Sequence, residues 1–254
     1  MVNFSSYKTF VFDLDGTVWD EIHLMHGVAK IFSRLRSAGK NVLIISNHTL
    51  HSRRELARIL QKKGLKISYK EIINSGYAVA TWLKKKGVKK AIAYGEGVKK
   101  ELREQGIEAV EKMPVKYIVL GHDEEMNYRK LGKIYEAVRD GATVISTAPG
   151  RLFFVGSSWY PGMGAFNVAI EYMTEKPVLV LGKPSGWMLH LIKKRIHGKT
   201  VIFGDEINSD IPFGKKAGWT TVLVLTGVDK STKSGKKGEM KPDYILRSVA
   251  EIKV

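Results

Sequence analysis

The sequence predicts an α/β protein: a doubly wound, Rossmann-like parallel sheet interrupted by a second, inserted α/β unit. Three observations carry this. Short apolar runs of strand length alternate with amphipathic stretches of helix length. Several of the runs end abruptly in polar or acidic residues, as strands do when their carboxyl ends line a crevice. Those chemically loaded ends lie near the two ends of the chain, and the stretch between them keeps the rhythm but lacks them.

Thr9 to Phe12 is a buried strand by its β-prone apolar run, and Asp13 and Asp15 arrive where it runs out. Alternation along a strand would put both aspartates on the same side, with Gly16 freeing the backbone to turn. Trp19 to His26 is too polar for a core strand and reads as a loop or small hairpin. Val28, Ile31, Phe32 and Leu35 mark one face of a helix that stops at Gly39. Asn41 to Asn47 is a second strand, ending in Ser46 and Asn47; Ser52 caps a helix carrying Leu56, Ile59 and Leu60 up to Gly64, and Glu71 to Asn74 is a shorter strand.

Ala91 to Gly95, Val115 to Gly121 and Ala142 to Thr147 are strands of the inserted unit, with helices around Lys99 to Gln105 and Tyr128 to Arg139. The strand Pro177 to Gly182 then brings the chain back to the first unit, ending at Lys183. Ser185 caps a helix with Met188, Leu189, Ile192 and Ile196; Thr200 to Gly204 is a strand ending at Asp205 with Asp210 beyond it, and Thr220 to Leu225 is a further strand. The expected division is residues 1–75 and 182–254 for the first unit and 76–181 for the insertion.

A chain of 254 residues, 44% hydrophobic and 26% charged, can bury a full core. It has no cysteine, which excludes disulfides, thiolate metal sites and cysteine nucleophiles and suits a reducing cytoplasm. Its longest aliphatic runs are strand-sized and no leader pattern is present, so the expectation is a cytoplasmic protein with no membrane partner. The net charge of +17 could concentrate anionic substrates or contact nucleic acid. The basic runs Lys84–Lys90, Lys193–Lys199 and Lys230–Lys241 lie mostly at helix ends and loops without interleaved aromatics, which disfavours nucleic acid; the last, rich in Lys, Gly and Ser, reads as a mobile loop.

Strand ends in a parallel sheet meet in one crevice, so Asp13, Asp15, Ser46, Asn47, Lys183, Asp205 and Asp210 can come together. Crowded carboxylates call for a cation or a shared proton. Mg²⁺ prefers a few carboxylates plus water and a phosphate, while Lys183, Ser46 and Asn47 are suited to phosphoryl oxygens. One aspartate is then free to attack phosphorus. Taken singly, each residue has a plainer reading: Asp13 to Thr17 as an Asp-rich turn, Lys183 as a solvated lysine, Asp205 as a helix cap.

Asp13-Leu14-Asp15-Gly16-Thr17, Ile45-Ser46-Asn47, Gly182-Lys183-Pro184-Ser185 and Gly204-Asp205 through Asp210 match, in order, the four motifs of the haloacid dehalogenase superfamily, which the chain resembles over nearly its whole length. Within it the chain is similar to the NagD-like, p-nitrophenyl phosphatase branch, whose large α/β cap lies between the second and third motifs. Gly121-His122-Asp123, Tyr128 to Leu131 and Pro161-Gly162-Met163-Gly164 resemble its cap landmarks. The resemblance implies a phosphatase of small phosphorylated metabolites with Asp13 as nucleophile and Asp15 as general acid and then base. It further implies Mg²⁺ on the Asp13 carboxylate, the Asp15 backbone carbonyl and Asp205, with Asp210 supporting the metal waters or Lys183. It also allows a homodimer.

His48 follows Ser46-Asn47 where relatives often have Asn or Ser, and Thr147-Ala148-Pro149-Gly150-Arg151 replaces the usual Thr-Asn-x-Asp of the cap. Arg151 and Phe153 are candidates to contact the leaving group, and His48 to touch substrate. A phosphotransferase or mutase with the same intermediate, and a non-catalytic nucleic-acid-binding protein, are the competing readings. Gly95-Glu96-Gly97 lacks the third glycine of a dinucleotide fingerprint, and Gly198-Lys199-Thr200 lacks the first glycine of a P-loop.

Overall fold

A computed structural model of the chain describes residues 3–155, 158–229 and 240–254. The lysine-rich stretch read above as a mobile loop lies outside the described residues from 230 to 239. The elements are β1 (Thr9–Phe12), α1 (Val28–Ser37), β2 (Asn41–Ser46), α2 (Arg53–Lys62), β3 (Ile72–Asn74), α3 (Ser75–Lys85), β4 (Lys90–Tyr94), α4 (Glu96–Glu104), β5 (Glu108–Val110), β6 (Tyr117–Leu120), α5 (Tyr128–Arg139), β7 (Thr143–Ser146), β8 (Leu152–Val155), β9 (Ser158–Pro161), α6 (Met163–Thr174), β10 (Leu179–Val180), α7 (Gly186–Lys193), β11 (Thr200–Gly204), α8 (Asp210–Ala217), β12 (Thr220–Val224) and β13 (Tyr244–Leu246).

The first sheet is parallel, in the order β13-β12-β11-β1-β2-β3. Strand alternation divides its side chains between two cores. Phe10, Phe12, Val42, Ile44 and Phe203 pack on one face with Ile31, Phe32 and Leu35 of α1 and Leu56 and Leu60 of α2. Val11, Leu43, Ile45 and Ile202 pack on the other with Met188, Leu189 and Ile192 of α7 and Phe213 of α8. Phe203 stacks on Phe12 with ring centroids 5.0 Å apart, and burying such a ring is worth about 1.5–3 kcal/mol. The helix ends follow the local chemistry. Ser52 and Glu55 form a reciprocal capping box at the start of α2, Ser185 accepts from the Met188 N–H at the start of α7, and Gly39 takes a left-handed φ of 66° after α1.

The second sheet, also parallel, runs β10-β7-β6-β4-β5. Ile118, Leu120 and Val144 face α5 and α6, while Ala91, Val119 and Ile145 face α3 and α4. Helix α3 is shared: Ala78 belongs to the core of the first sheet, and Val79, Ala80 and Leu83 to that of the second. A helix apolar on more than one side is buried between layers, which is what Ser75-Gly76-Tyr77-Ala78-Val79-Ala80 encodes.

The strand expected to bring the chain back to the first sheet does not do so. β10 is limited to Leu179–Val180 and pairs with Ile145 and Ser146 of β7 in the second sheet. Two residues leave too little local signal to select a partner, and the choice falls to the packing of neighbouring segments. The chain regains the first sheet at β11. The elements that periodicity did not single out in the insertion are α3, β5, the antiparallel β8–β9 hairpin and α6. The stretch Thr147–Arg151 is fastened to the segment after the hairpin, where the N–H groups of Gly162 and Gly164 donate to the carbonyls of Arg151 and Gly150, each at 2.7 Å. A Cβ at Gly164 would lie 2.2 Å from the Pro149 carbonyl, so only glycine allows this approach.

Candidate active site

β1 leads to β2 and β3 on one side, and on its return the chain lays β11 on the other side of β1 and continues outward to β12 and β13. The crevice at the carboxyl ends of β1 and β11 is therefore the point where the winding reverses. Asp13 and Asp205 follow these two strands, joined at the edge of the ladder by the Asp13 N–H donating to the Phe203 carbonyl at 2.8 Å. A cavity of about 580 Å³ opens here, lined by Asp13, Asp15, Ser46, Asn47, Lys183 and Asp205 on one side and by His122, Phe153, Tyr160 and Phe166 on the other.

Asp13, Asp205 and Asp210 are all buried, and a carboxylate oxygen from each lies within 4.8 Å of the others. The Lys183 ammonium, 2% exposed, donates to Asp13 Oδ1 at 2.5 Å and to Asp210 Oδ1 at 2.6 Å. Asp210 Oδ2 accepts the Glu206 N–H at 3.1 Å, so both of its oxygens are engaged. Asp205 Oδ2 accepts the Val228 N–H at 2.7 Å. Three glycines make room for these acids: a Cβ on Gly16 or Gly227 would lie 2.4 or 1.9 Å from Asp205 Oδ2, and one on Gly204 would lie 2.2 Å from Asp210.

One ammonium does not balance three buried carboxylates. Burial pushes Asp13 up to about 8; Lys183 opposes the shift, and the charges of Asp210 and Asp15 add to it. Asp205 is raised well above the carboxylate range by burial, Asp13 and Asp210, and Glu206 rises to about 7 by burial and Asp210. Hard oxygen donors carrying excess negative charge in a glycine-lined cradle fit a small divalent cation such as Mg²⁺. Asp210 has both oxygens engaged by Lys183 and Glu206, whereas Asp13 is bonded by Lys183 through Oδ1 alone and Asp205 Oδ1 has only a 3.5 Å contact from Thr17 Oγ1, so these two carboxylates could ligate it.

Asp15 lines the same cavity but turns elsewhere. The chain has left the strand after Phe12, so simple alternation no longer sets its direction. Its Oδ1 accepts from Trp19 Nε1 at 2.8 Å and faces His48 Nδ1 at 3.3 Å, and its Oδ2 accepts from Ser46 Oγ at 3.2 Å. Burial acts to raise the Asp15 pKa, but the charge of His48 and hydrogen bonds from His48, Trp19 and Ser46 outweigh it and hold the carboxylate below its usual range. The side chain is thus directed away from the Asp13, Asp205 and Asp210 cluster and grouped instead with Glu21 and His48.

The Asn47 side chain clamps the third motif: its Oδ1 accepts the Lys183 N–H at 2.7 Å and its Nδ2 donates to the Lys183 carbonyl at 3.1 Å. Phe153 lies in the cavity wall, its ring 4.8 Å from His122 and 5.4 Å from Tyr160. Arg151 is exposed and does not line the cavity. Sequence reasoning missed Trp19, Glu21 and Glu206. Trp19 is 1% exposed, drawn in by bridges to Asp15 and Leu24, and nothing in the polar run around it signals that.

A family model described as haloacid dehalogenase-like hydrolase matches residues 10–108, and a second, described as HAD-hydrolase-like, matches residues 180–252. Phosphoglycolate phosphatase 2 of Arabidopsis thaliana is 32% identical over 98% of this chain and 93% of its own length. Among solved structures, the 4-nitrophenylphosphatase of Thermotoga maritima superposes with a TM-score of 0.88 at 25% identity, covering 97% of this chain and 96% of that one. NagD from E. coli K-12 superposes with a TM-score of 0.85 at 28% identity, covering 97% and 98%.

Proposed function

Since the chain belongs to the haloacid dehalogenase-like hydrolases, in their NagD-like phosphatase branch, we propose that it hydrolyses small phosphomonoesters with Mg²⁺ through an aspartyl-phosphate on Asp13. The observation that supports this reading best is the buried set of Asp13, Asp205, Asp210 and Lys183 at the point where the sheet reverses. The phosphatase names of the relatives, which include phosphoglycolate and 4-nitrophenyl phosphate hydrolysis, support the same chemistry.

Asp13, Asp205 and the backbone oxygen of Asp15 would hold Mg²⁺, which when bound offsets the negative charge of the acids and of the phosphate. The Asp13 carboxylate attacks phosphorus and the bond from phosphorus to the leaving oxygen breaks. Asp15, protonated when the negative phosphate settles beside it, gives its proton to that oxygen. Asp15 then takes a proton from a water that attacks the phosphoryl group, releasing phosphate and restoring Asp13. Lys183 contacts phosphoryl oxygens, Asn47 holds the Lys183 backbone, Asp210 fixes the ammonium, and the Ser46 hydroxyl, whose one hydrogen goes to Asp15 Oδ2, holds the acid rather than the phosphate. The cavity's far wall, with Phe153 and Tyr160, takes the leaving group.

The test is turnover of p-nitrophenyl phosphate by wild type and Asp13→Asn, with Mg²⁺ and with EDTA, and trapping of an acid-stable phosphoprotein mapped to residue 13. Activity that needs both the metal and Asp13 is expected. Substantial turnover by the folded Asp13→Asn variant would rule out the covalent step.

A further inference from the structure

We propose that His48 is a positioning residue for Asp15, its Nδ1 fixing the carboxyl in the orientation that meets the leaving-group oxygen. The inference rests on the reading of Asp15 as proton donor given above.

Asp15 lies in a turn beyond the end of β1, where nothing in the strand ladder sets its side-chain rotation. Proton delivery requires a specific line between carboxyl and leaving oxygen, and small errors of placement are costly. Trp19 Nε1 holds one side of Oδ1 at 2.8 Å, and the segment Ser46 to His48 supplies the rest of the constraint. Ser46 Oγ donates to Asp15 Oδ2 at 3.2 Å and itself accepts the His48 N–H at 2.9 Å, while His48 Nδ1 faces Asp15 Oδ1 at 3.3 Å. One short segment therefore grips both carboxyl oxygens. A carboxylate only accepts, so the ring nitrogen that faces it carries the proton.

The ring is packed on both sides. It is 8% exposed, stacked on His51 at 5.5 Å and packed against Trp19 at 5.8 Å. Glu21 Oε1 lies 3.8 Å from the same Nδ1, presented from a residue in the left-handed region at φ 70°, where non-glycine residues are uncommon. Nε2 is buried with no hydrogen-bond partner among the described residues. Nδ1 is therefore the end of the ring that is anchored to polar groups. The competing account is packing alone, in which His48 merely fills the space between Trp19 and His51.

Two substitutions separate these accounts. His48→Phe keeps a ring between Trp19 and His51 but removes the donor; His48→Asn loses the ring but keeps a donor near the position of Nδ1. The readout is kcat/KM, which covers the steps up to departure of the leaving group, on an alkyl phosphomonoester and on p-nitrophenyl phosphate, whose leaving group needs little protonation. With Asp15 misplaced, His48→Phe is expected to lose about tenfold or more on the alkyl ester and less than about threefold on the aryl ester, and His48→Asn to recover most of the alkyl activity. Phe matching wild type while Asn fails, or an equal loss on both esters, would overturn the proposal. If Asp15→Asn shows no such leaving-group dependence, the reading of Asp15 as proton donor fails and the proposal goes with it. Should His48→Phe not fold, His48→Ala is assayed with added imidazole: restoration on the alkyl ester supports the role, and none overturns it.

Discussion

Arg53 of α2 and Glu101 of α4 form a buried ion pair that joins the helices of the two sheets. The Arg53 Nε donates to both carboxylate oxygens of Glu101, at 3.2 and 3.1 Å, and the Arg53 N–H donates to Oε1 at 2.6 Å. Their side chains are 5% and 0% exposed. The guanidinium also lies over the Tyr77 ring at 3.4 Å, and Arg54–Glu104 and Lys100–Glu55 extend the contact between the same helices.

Arg53→Ala is expected to destabilise the protein by about 3–5 kcal/mol, because it leaves Glu101 buried without its partner. Urea denaturation measures this. A loss under about 1 kcal/mol, the range of an exposed pair, would mean that the site admits water and the pair is not a structural tie.

The acids around Lys183 give the metal-free protein a pH dependence of definite sign. Asp13 is raised to about 8 and Glu206 to about 7, so each holds a proton in the fold where the unfolded chain has lost it. Their contribution is present in full below the ordinary carboxylate range and is lost as pH rises through about 7–8. Metal-free stability is expected to fall from about pH 4 to about pH 8 and to level off above that, by up to about 1.4 kcal/mol per pH unit for each proton. Asp13→Asn should flatten the slope, and so should saturating Mg²⁺. Chemical denaturation in EDTA across this range decides the matter, and a flat wild-type profile would contradict it.

Asp205→Asn keeps an oxygen able to accept the Val228 N–H but removes one of the mutually repelling charges. The variant is expected to lose turnover yet to be as stable as wild type without metal, or more stable by up to about 2 kcal/mol, as at sites that trade stability for chemistry. Its melting temperature should no longer respond to Mg²⁺. A normal metal-induced shift would remove Asp205 from the ligand set.

Gly227→Ala tests the cradle without altering any acid. The added Cβ would fall 1.9 Å from Asp205 Oδ2, so the carboxylate must move. A misplaced ligand is expected to weaken Mg²⁺ activation about 10–100-fold while the protein remains folded. Titration of activity against Mg²⁺ reads this directly, and an unchanged midpoint would show that the segment at 227 gives way instead.

Much of the fold was legible because local patterns encoded it. The four residues expected to mark the face of the first helix, Val28, Ile31, Phe32 and Leu35, are the ones α1 buries. Ser52 and Ser185 cap α2 and α7, as short polar residues ahead of apolar periodicity suggest. The cap was harder to read. α6 has apolar residues at many positions and no side-chain cap, so it lacks a clean periodic face, and the β8–β9 hairpin exposes most of its described side chains. Trp19 was missed because its burial depends on a bridge and on the Asp15 carboxylate rather than on its neighbours in the chain.

The class of the protein is legible along the chain, because strand-length apolar runs, caps and four short motifs in order are all written within a few residues of one another. So are the residue types that stand at the strand ends. How those ends meet is settled by long-range packing: β11 lies beside β1, so that Asp205 reaches Asp13; Lys183 bridges Asp13 and Asp210; β10 stays with the second sheet; and Asp15 turns to Trp19, Ser46 and His48. The physical reason is that each of these is a contact between segments distant in sequence. Its outcome is set by which faces can be buried together and which charges can be satisfied there, and no local periodicity records that.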